Sequence, residues 1–61
     1  MRISLKAARI NAGMTQTDVC IQLGIQRGTL SRWENGKAWP NIKQMQKLCE
    51  LYEAKTEDLK L

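Results

Sequence analysis

Between positions 27 and 37 lie Arg27, Ser31, Arg32, Asn35 and Lys37, whose side chains can donate hydrogen bonds to an anion. Glu34 is the only acid in that stretch. Guanidinium forks fit phosphate oxygens and purine edges, and short hydroxyl or amide donors can share the same surface without holding a helix away. Catalytic chemistry is absent from the pattern. The chain has no His, no CxxC, no carboxylates paired on one face and no glycine-rich phosphate loop, so an enzyme is not expected. Cys20 and Cys49 are too few to hold zinc without His, and each falls on an apolar helical face. Both are expected as reduced thiols in the core. No metal or cofactor is implied.

Charge distribution points the same way. The 61 residues carry ten Lys or Arg against six Asp or Glu, a net charge of +4. Arg2, Lys6 and Arg9 open the chain without an acid, while Glu50, Glu53, Glu57 and Asp58 gather late. A basic front and an acidic tail suit one face made for a polyanion. The length allows a single domain spanning 1–61 with a small core, and no membrane span or signal-like block is read. The expected setting is cytoplasmic.

Elements that must position these donors follow from apolar spacing and turn residues. The pattern predicts an all-α domain of five helices, at 3–12, 16–23, 27–35, 42–52 and 56–60. Leu5, Ala8 and Ala12 form the first inner face, with Gly13 closing that helix. Thr15 with Asp18, and Asn41 with Gln44, read as capping boxes. Val19, Cys20 and Leu23 face inward on the second helix, and Ile42, Met45, Leu48, Cys49 and Tyr52 on the fourth.

The second and third helices are separated by Gly24-Ile25-Gln26, a length that joins helices at a steep angle. Cys20 is small enough for a close crossing, and Gly24 is free to take positive φ. With Leu30 and Trp33 turned inward, Gly28, Ser31, Arg32 and Asn35 face outward and Arg27 flanks them. Gly28 is the telling residue. A glycine inside a helix costs about 0.5–1 kcal/mol relative to Ala, and an outward site offers no packing reason for it.

The run MTQTDVCIQLGIQRGTLSRWENGKAWP resembles the Cro/phage-repressor type of helix-turn-helix, the xenobiotic-response-element-like family of DNA-binding regulators. The likeness rests on Thr15-Gln16, Leu23-Gly24, Thr29-Leu30-Ser31, Trp33-Glu34-Asn35-Gly36-Lys37 and Pro40, and extends over nearly the whole chain. It implies a compact lambda-repressor-like domain whose helices 2 and 3 form the motif, with the third in the major groove of double-stranded DNA. By the same resemblance, Arg27, Gly28, Ser31 and Arg32 face base edges. Gln16 donates to a phosphate and steadies the first recognition-helix side chain, Asn35 and Lys37 lie in a phosphate-contacting loop, and Arg9 and Glu34 form an ion pair. Four positions depart from the family pattern, and one of them, Gly28, removes a side chain that commonly reads a base. Gln26 stands where Ser or Thr usually caps the third helix, so its side chain caps weakly or is turned to DNA. Glu53 replaces a helix-ending Gly, and Lys55 replaces Ser or Thr.

One reading helix covers only a few base pairs, so two copies are expected on a palindromic operator, regulating as a repressor by occupancy. This phage- or mobile-element-like reading places the homodimer contact at the C-terminal end, with Tyr52, Leu59 and Leu61. No small-molecule ligand is implied. Fold does not settle function, so a protein-interaction module on the same framework is the competing class. Trp39, beside Pro40, reads either as a lid over the junction of helices 3 and 4 or as an anchor for another protein.

Overall fold

The computed structural model describes residues 2–60 of the chain. Four α-helices, α1 (Leu5–Asn11), α2 (Gln16–Leu23), α3 (Arg27–Glu34) and α4 (Ile42–Tyr52), are followed by one 3₁₀ turn at Thr56–Asp58. Two short strands, β1 (Ile3–Ser4) and β2 (Leu59–Lys60), run parallel with Ile3 opposite Leu59 and Ser4 opposite Lys60. The expected fifth α-helix is therefore a single tight turn leading into a strand. The first helix also starts later than its apolar spacing predicts, because Ser4 caps it: the Ser4 Oγ accepts from the Ala7 N–H at 3.0 Å.

Local chemistry sets most of the other boundaries. Thr15 Oγ1 accepts from the Asp18 N–H at 3.1 Å, and Asp18 Oδ2 accepts from the Thr15 N–H at 2.9 Å. The Thr15 backbone bond, helped by the Thr15 hydroxyl, holds the Asp18 carboxyl below the usual carboxylate range. Asn41 and Gln44 make the equivalent pair of bonds at the head of α4, at 2.8 and 2.9 Å. At the corner between α2 and α3, Gly24 has φ +68° and the Ile25 N–H reaches back to the Cys20 carbonyl at 3.1 Å. That combination turns the chain sharply enough for α3 to cross α2.

Leu5, Val19, Leu30 and Leu48 are fully buried and tie all four helices to one centre, with Ala8, Cys20, Trp33 and Met45 around them. Of the expected core positions, two lie elsewhere and two, Leu23 and Cys49, pack against the core only partly buried. Ala12 ends α1 and is exposed. Ile42 lies in the first turn of α4, ahead of the part that covers the core, and is 77% exposed. Cys49 is only partly buried, its Sγ 3.4 Å from Thr56 Oγ1.

The C-terminal end corrects the expected dimer surface. Tyr52 and Leu59 are core residues, 7% and 6% exposed. Leu61, the third residue of that expected contact, lies outside the described residues. The reversal needed to bring Leu59 inward comes at Glu53, the sole described non-glycine residue with positive φ, at +51°. A left-handed conformation is costly for a side chain with a Cβ. It is held here by the Ala54 N–H, which donates to the Cys49 carbonyl at 3.0 Å.

Tyr52 carries a buried hydroxyl without a hydrogen-bond partner among the described residues. Burial pushes its phenol up to about 12, and the neighbouring Glu34 carboxylate adds to the rise. An unfolded tyrosine ionises near pH 10, so the stability linked to this raised value is present below pH 10 and is lost as pH rises toward 12. Tyr52→Phe should therefore keep neutral-pH stability or raise it by up to about 1 kcal/mol, since it removes an unpaired polar atom. It should also flatten the decline between pH 10 and 12 relative to wild type. Urea titrations of both proteins at pH 7 and pH 11 check this. A loss of more than about 1 kcal/mol at pH 7 would mean that the hydroxyl is satisfied after all.

Candidate nucleic-acid interface

The exposed side of α3 follows directly from what its other side buries. Leu30 and Trp33 are 0% and 3% exposed, which fixes the rotation of the helix. Side chains three or four positions apart share a face, and two outward rows result. Arg27, Ser31 and Asn35 form one row and turn toward α1 and the start of α2. Gly28 and Arg32, both exposed, form the other row. A Cβ added at Gly28 would meet nothing within 4 Å, so no contact inside the protein demands a glycine there.

A groove of about 500 Å³ runs beside the first row, lined by Lys6 of α1, Gln16 and Thr17 of α2, and Arg27, Ser31 and Asn35. Lys6 and Thr17 were not anticipated as site residues. Their signals were faint: Lys6 precedes Arg9 by three positions on α1, and Thr17 merely follows Gln16. Gln26, Arg32 and Lys37 are exposed outside the lining of this groove. The Gln26 side chain makes no capping bond to α3. α3 ends at Glu34, one residue earlier than the apolar spacing predicts, and the capping Asn35 donates from Nδ2 to Ser31 Oγ at 3.4 Å. Lys37 follows in the loop, held by its N–H to the Arg32 carbonyl at 2.8 Å.

An ion pair forms the floor between α1 and α3. Arg9 Nε donates to Glu34 Oε2 at 2.8 Å and Arg9 Nη2 to Glu34 Oε1 at 3.3 Å. The two side chains are 10% and 4% exposed. Arg9 Nη1 donates to the Met14 carbonyl at 3.0 Å, so the guanidinium also holds the α1–α2 loop. The hydrogen bond to Glu34 raises the Arg9 pKa against the opposing cost of desolvation. Gln16 Nε2 donates to Glu34 Oε1 at 3.1 Å. Among the described residues, the hydrogen-bond partner of Gln16 is this carboxylate at the end of α3. Because Glu34 neutralises Arg9, the positive charge of the region left without an ion pair among the described residues belongs to Lys6, Arg27, Arg32 and Lys37.

Trp39 does not form a lid. It is 62% exposed and borders an apolar hollow of about 230 Å³ with Pro40, Ile42 and Met45. No helix among the described residues is long and apolar enough to cross a membrane.

The family model described as Helix-turn-helix matches residues 5–59. Two archaeal proteins share 34% identity over 59 residues, 97% of this chain. One is an uncharacterized HTH-type transcriptional regulator of Archaeoglobus fulgidus, of which 83% is covered. The other is an uncharacterized HTH-type transcriptional regulator of Methanocaldococcus jannaschii, of which 89% is covered. The HTH-type transcriptional activator BcrR of Enterococcus faecalis is 27% identical over 55 residues, covering 90% of this chain and 27% of BcrR. No solved structure gives a significant match. A two-helix corner built on Gly24, an exposed donor row on its second helix and a family match over residues 5–59 lead to one conclusion: the chain belongs to the helix-turn-helix family, of the Cro/repressor type that its sequence resembles.

Proposed function

We propose that this protein is a sequence-specific, double-stranded DNA-binding transcriptional regulator that inserts α3 into the major groove. One observation carries the reading: α3 buries Leu30 and Trp33 while presenting arginines around a glycine that no contact within the protein requires. Arg27, Gly28, Ser31 and Arg32 meet base edges on this reading. Gln16, Gln26, Asn35 and Lys37 position the duplex through its phosphates, joined by Lys6 and Thr17 from the groove. The archaeal relatives named as transcriptional regulators support the same role. Bound at an operator, such a domain obstructs polymerase, and repression is the sense of regulation we assign. Two copies on a palindrome remain part of the proposal, with their contact outside the buried Tyr52 and Leu59.

A second reading has its own support. Trp39 and Ile42 are 62% and 77% exposed beside an apolar hollow, a surface suited to a protein partner. Association with duplex DNA that weakens steeply with salt favours the first reading. Salt-insensitive association with a protein and no duplex binding favours the second.

Three substitutions separate the parts of the DNA reading. Gly28→Ala should stabilise the free domain by about 0.5–1 kcal/mol in thermal unfolding. It should also weaken binding to the selected operator, because a methyl group then stands between the helix and the base edges. Operator binding as tight as wild type would remove close helix approach from the mechanism.

Arg32→Ala should lower the ratio of specific to non-specific affinity by about 1–3 kcal/mol, the range for a bidentate base contact. An unchanged ratio in competition anisotropy takes Arg32 out of base reading. Lys37→Ala should weaken all duplexes to a similar degree and reduce the slope of log affinity against log salt by about one. If that slope stays at the wild-type value, Lys37 does not neutralise a phosphate.

A further inference from the structure

Glu34 has more to do than neutralise Arg9. Its Oε1 accepts from Arg9 Nη2 at 3.3 Å and from Gln16 Nε2 at 3.1 Å, while Oε2 accepts from Arg9 Nε at 2.8 Å. The carboxylate is thus clamped on both oxygens, and its side chain is only 4% exposed. Gln16, by contrast, is partly exposed at the first position of α2 and lines the open groove. A long, neutral side chain at the edge of such a groove ordinarily samples several rotamers, and binding has to freeze them. Here a charge-assisted hydrogen bond to a nearly immobile acceptor selects one arrangement beforehand.

We infer that Glu34 is a positioning residue for DNA recognition: the buried Arg9–Glu34 pair holds the Gln16 amide in its phosphate-binding orientation before DNA arrives. The inference rests on the DNA reading proposed above and assigns the ion pair a part in it beyond stability. With Nε2 turned to Glu34, one amide hydrogen is engaged by the carboxylate and the second is left to donate to a phosphate oxygen. This arrangement couples the end of α3 to the beginning of α2. A duplex gripping Gln16 therefore bears on the same carboxylate that fixes α1 against α3.

A stability role and a positioning role predict different behaviour when the pair is replaced as a unit. Removing one member strands a buried charge and confounds folding with binding, whereas exchanging both for apolar residues of similar size commonly preserves the fold. The test is a thermodynamic cycle on Gln16→Ala in wild type and in the Arg9→Met/Glu34→Leu background, with folding checked by circular dichroism and thermal unfolding. The probe is an operator duplex selected from a random library.

In wild type, Gln16→Ala should lower operator affinity about tenfold, the scale of one hydrogen bond to a charged group. The salt slope should not change, because a neutral side chain displaces no counterion. The pair replacement should bring a similar loss, and adding Gln16→Ala to it should cost less than about twofold. An equal, tenfold cost of Gln16→Ala in both backgrounds overturns the inference, as does wild-type affinity in the pair replacement. If the pair replacement does not fold, Arg9→Gln/Glu34→Gln, which strands no charge, serves as the background. It retains one acceptor oxygen but not the charge, and should reduce the cost of Gln16→Ala to below about threefold.

Side-chain ¹⁵N relaxation in the free wild-type protein gives a readout independent of DNA. The Gln16 amide should be as ordered as the backbone, with an order parameter above about 0.8, and a value below about 0.6 overturns the preset orientation. An ordered Gln16 amide in a protein that binds no duplex would instead overturn the functional reading, so the two failures are distinguishable.

Discussion

Burying an arginine in a 61-residue domain is expensive, and the fold is arranged around meeting that cost. Arg9 is 8% exposed, and three of its nitrogens have acceptors: two on Glu34 and one on the Met14 carbonyl. The Met14 N–H answers with a bond to the Arg9 carbonyl at 3.2 Å, so the α1–α2 loop is tied to the same residue from both directions. Satisfying the pair requires α1, that loop and the end of α3 to take one relative placement. Hydrophobic contacts alone tolerate small slides and rotations; an ion pair with directed hydrogen bonds tolerates few. The cost of desolvation is thereby converted into a defined seating of α3 against α1, which narrows the rotation already set by Leu30 and Trp33.

Small size accounts for the unusual end of the chain. A core of ten buried apolar residues cannot spare Tyr52 or Leu59 for a surface role, so both are drawn inward. Drawing Leu59 in requires the chain to reverse after α4, which Glu53 permits at the expense of a left-handed backbone. The two-residue parallel pairing of Ile3–Ser4 with Leu59–Lys60 then joins the two ends of the described chain across the bottom of the core. Each step compensates for a limited supply of apolar surface.

Much of the helical frame was legible because its signals are local. Thr15 with Asp18, Asn41 with Gln44, and Gly24 each act within a few residues, and the physical requirement they meet can be recognised without knowing the fold. What was not legible depended on distance or on exposure. The β1–β2 pair joins residues more than fifty positions apart through strands too short to show alternation. Ile42 keeps the helical period but occupies a turn ahead of the core, and periodicity alone does not say where a core begins. Trp39 turned outward although a tryptophan beside a buried proline could equally have been covered. Among the site residues, the α3 donors stood out by type and spacing. Lys6 and Thr17 became part of the groove only once α1 and α2 were placed beside α3.

The division of α3 into two rows sharpens what its outer face can do. Arg27, Ser31 and Asn35 share a groove with α1 and α2, lined by donor-bearing residues from three helices. Gly28 and Arg32 lie outside it, and there the helix surface is low at the glycine and long at the arginine. A helix entering a duplex groove needs both a rim that grips the backbone on one side and a face that lets its axis come close to the bases. The row beside the groove has the first property and the row containing the glycine has the second. Loss of the Arg9–Glu34 constraint would leave Leu30 and Trp33 to hold α3 alone, free to shift slightly against α1. The link between a buried charge pair and DNA reading on the proposed mechanism is therefore geometric, and acts through the seating of α3 against α1 and the Gln16 amide that Glu34 holds.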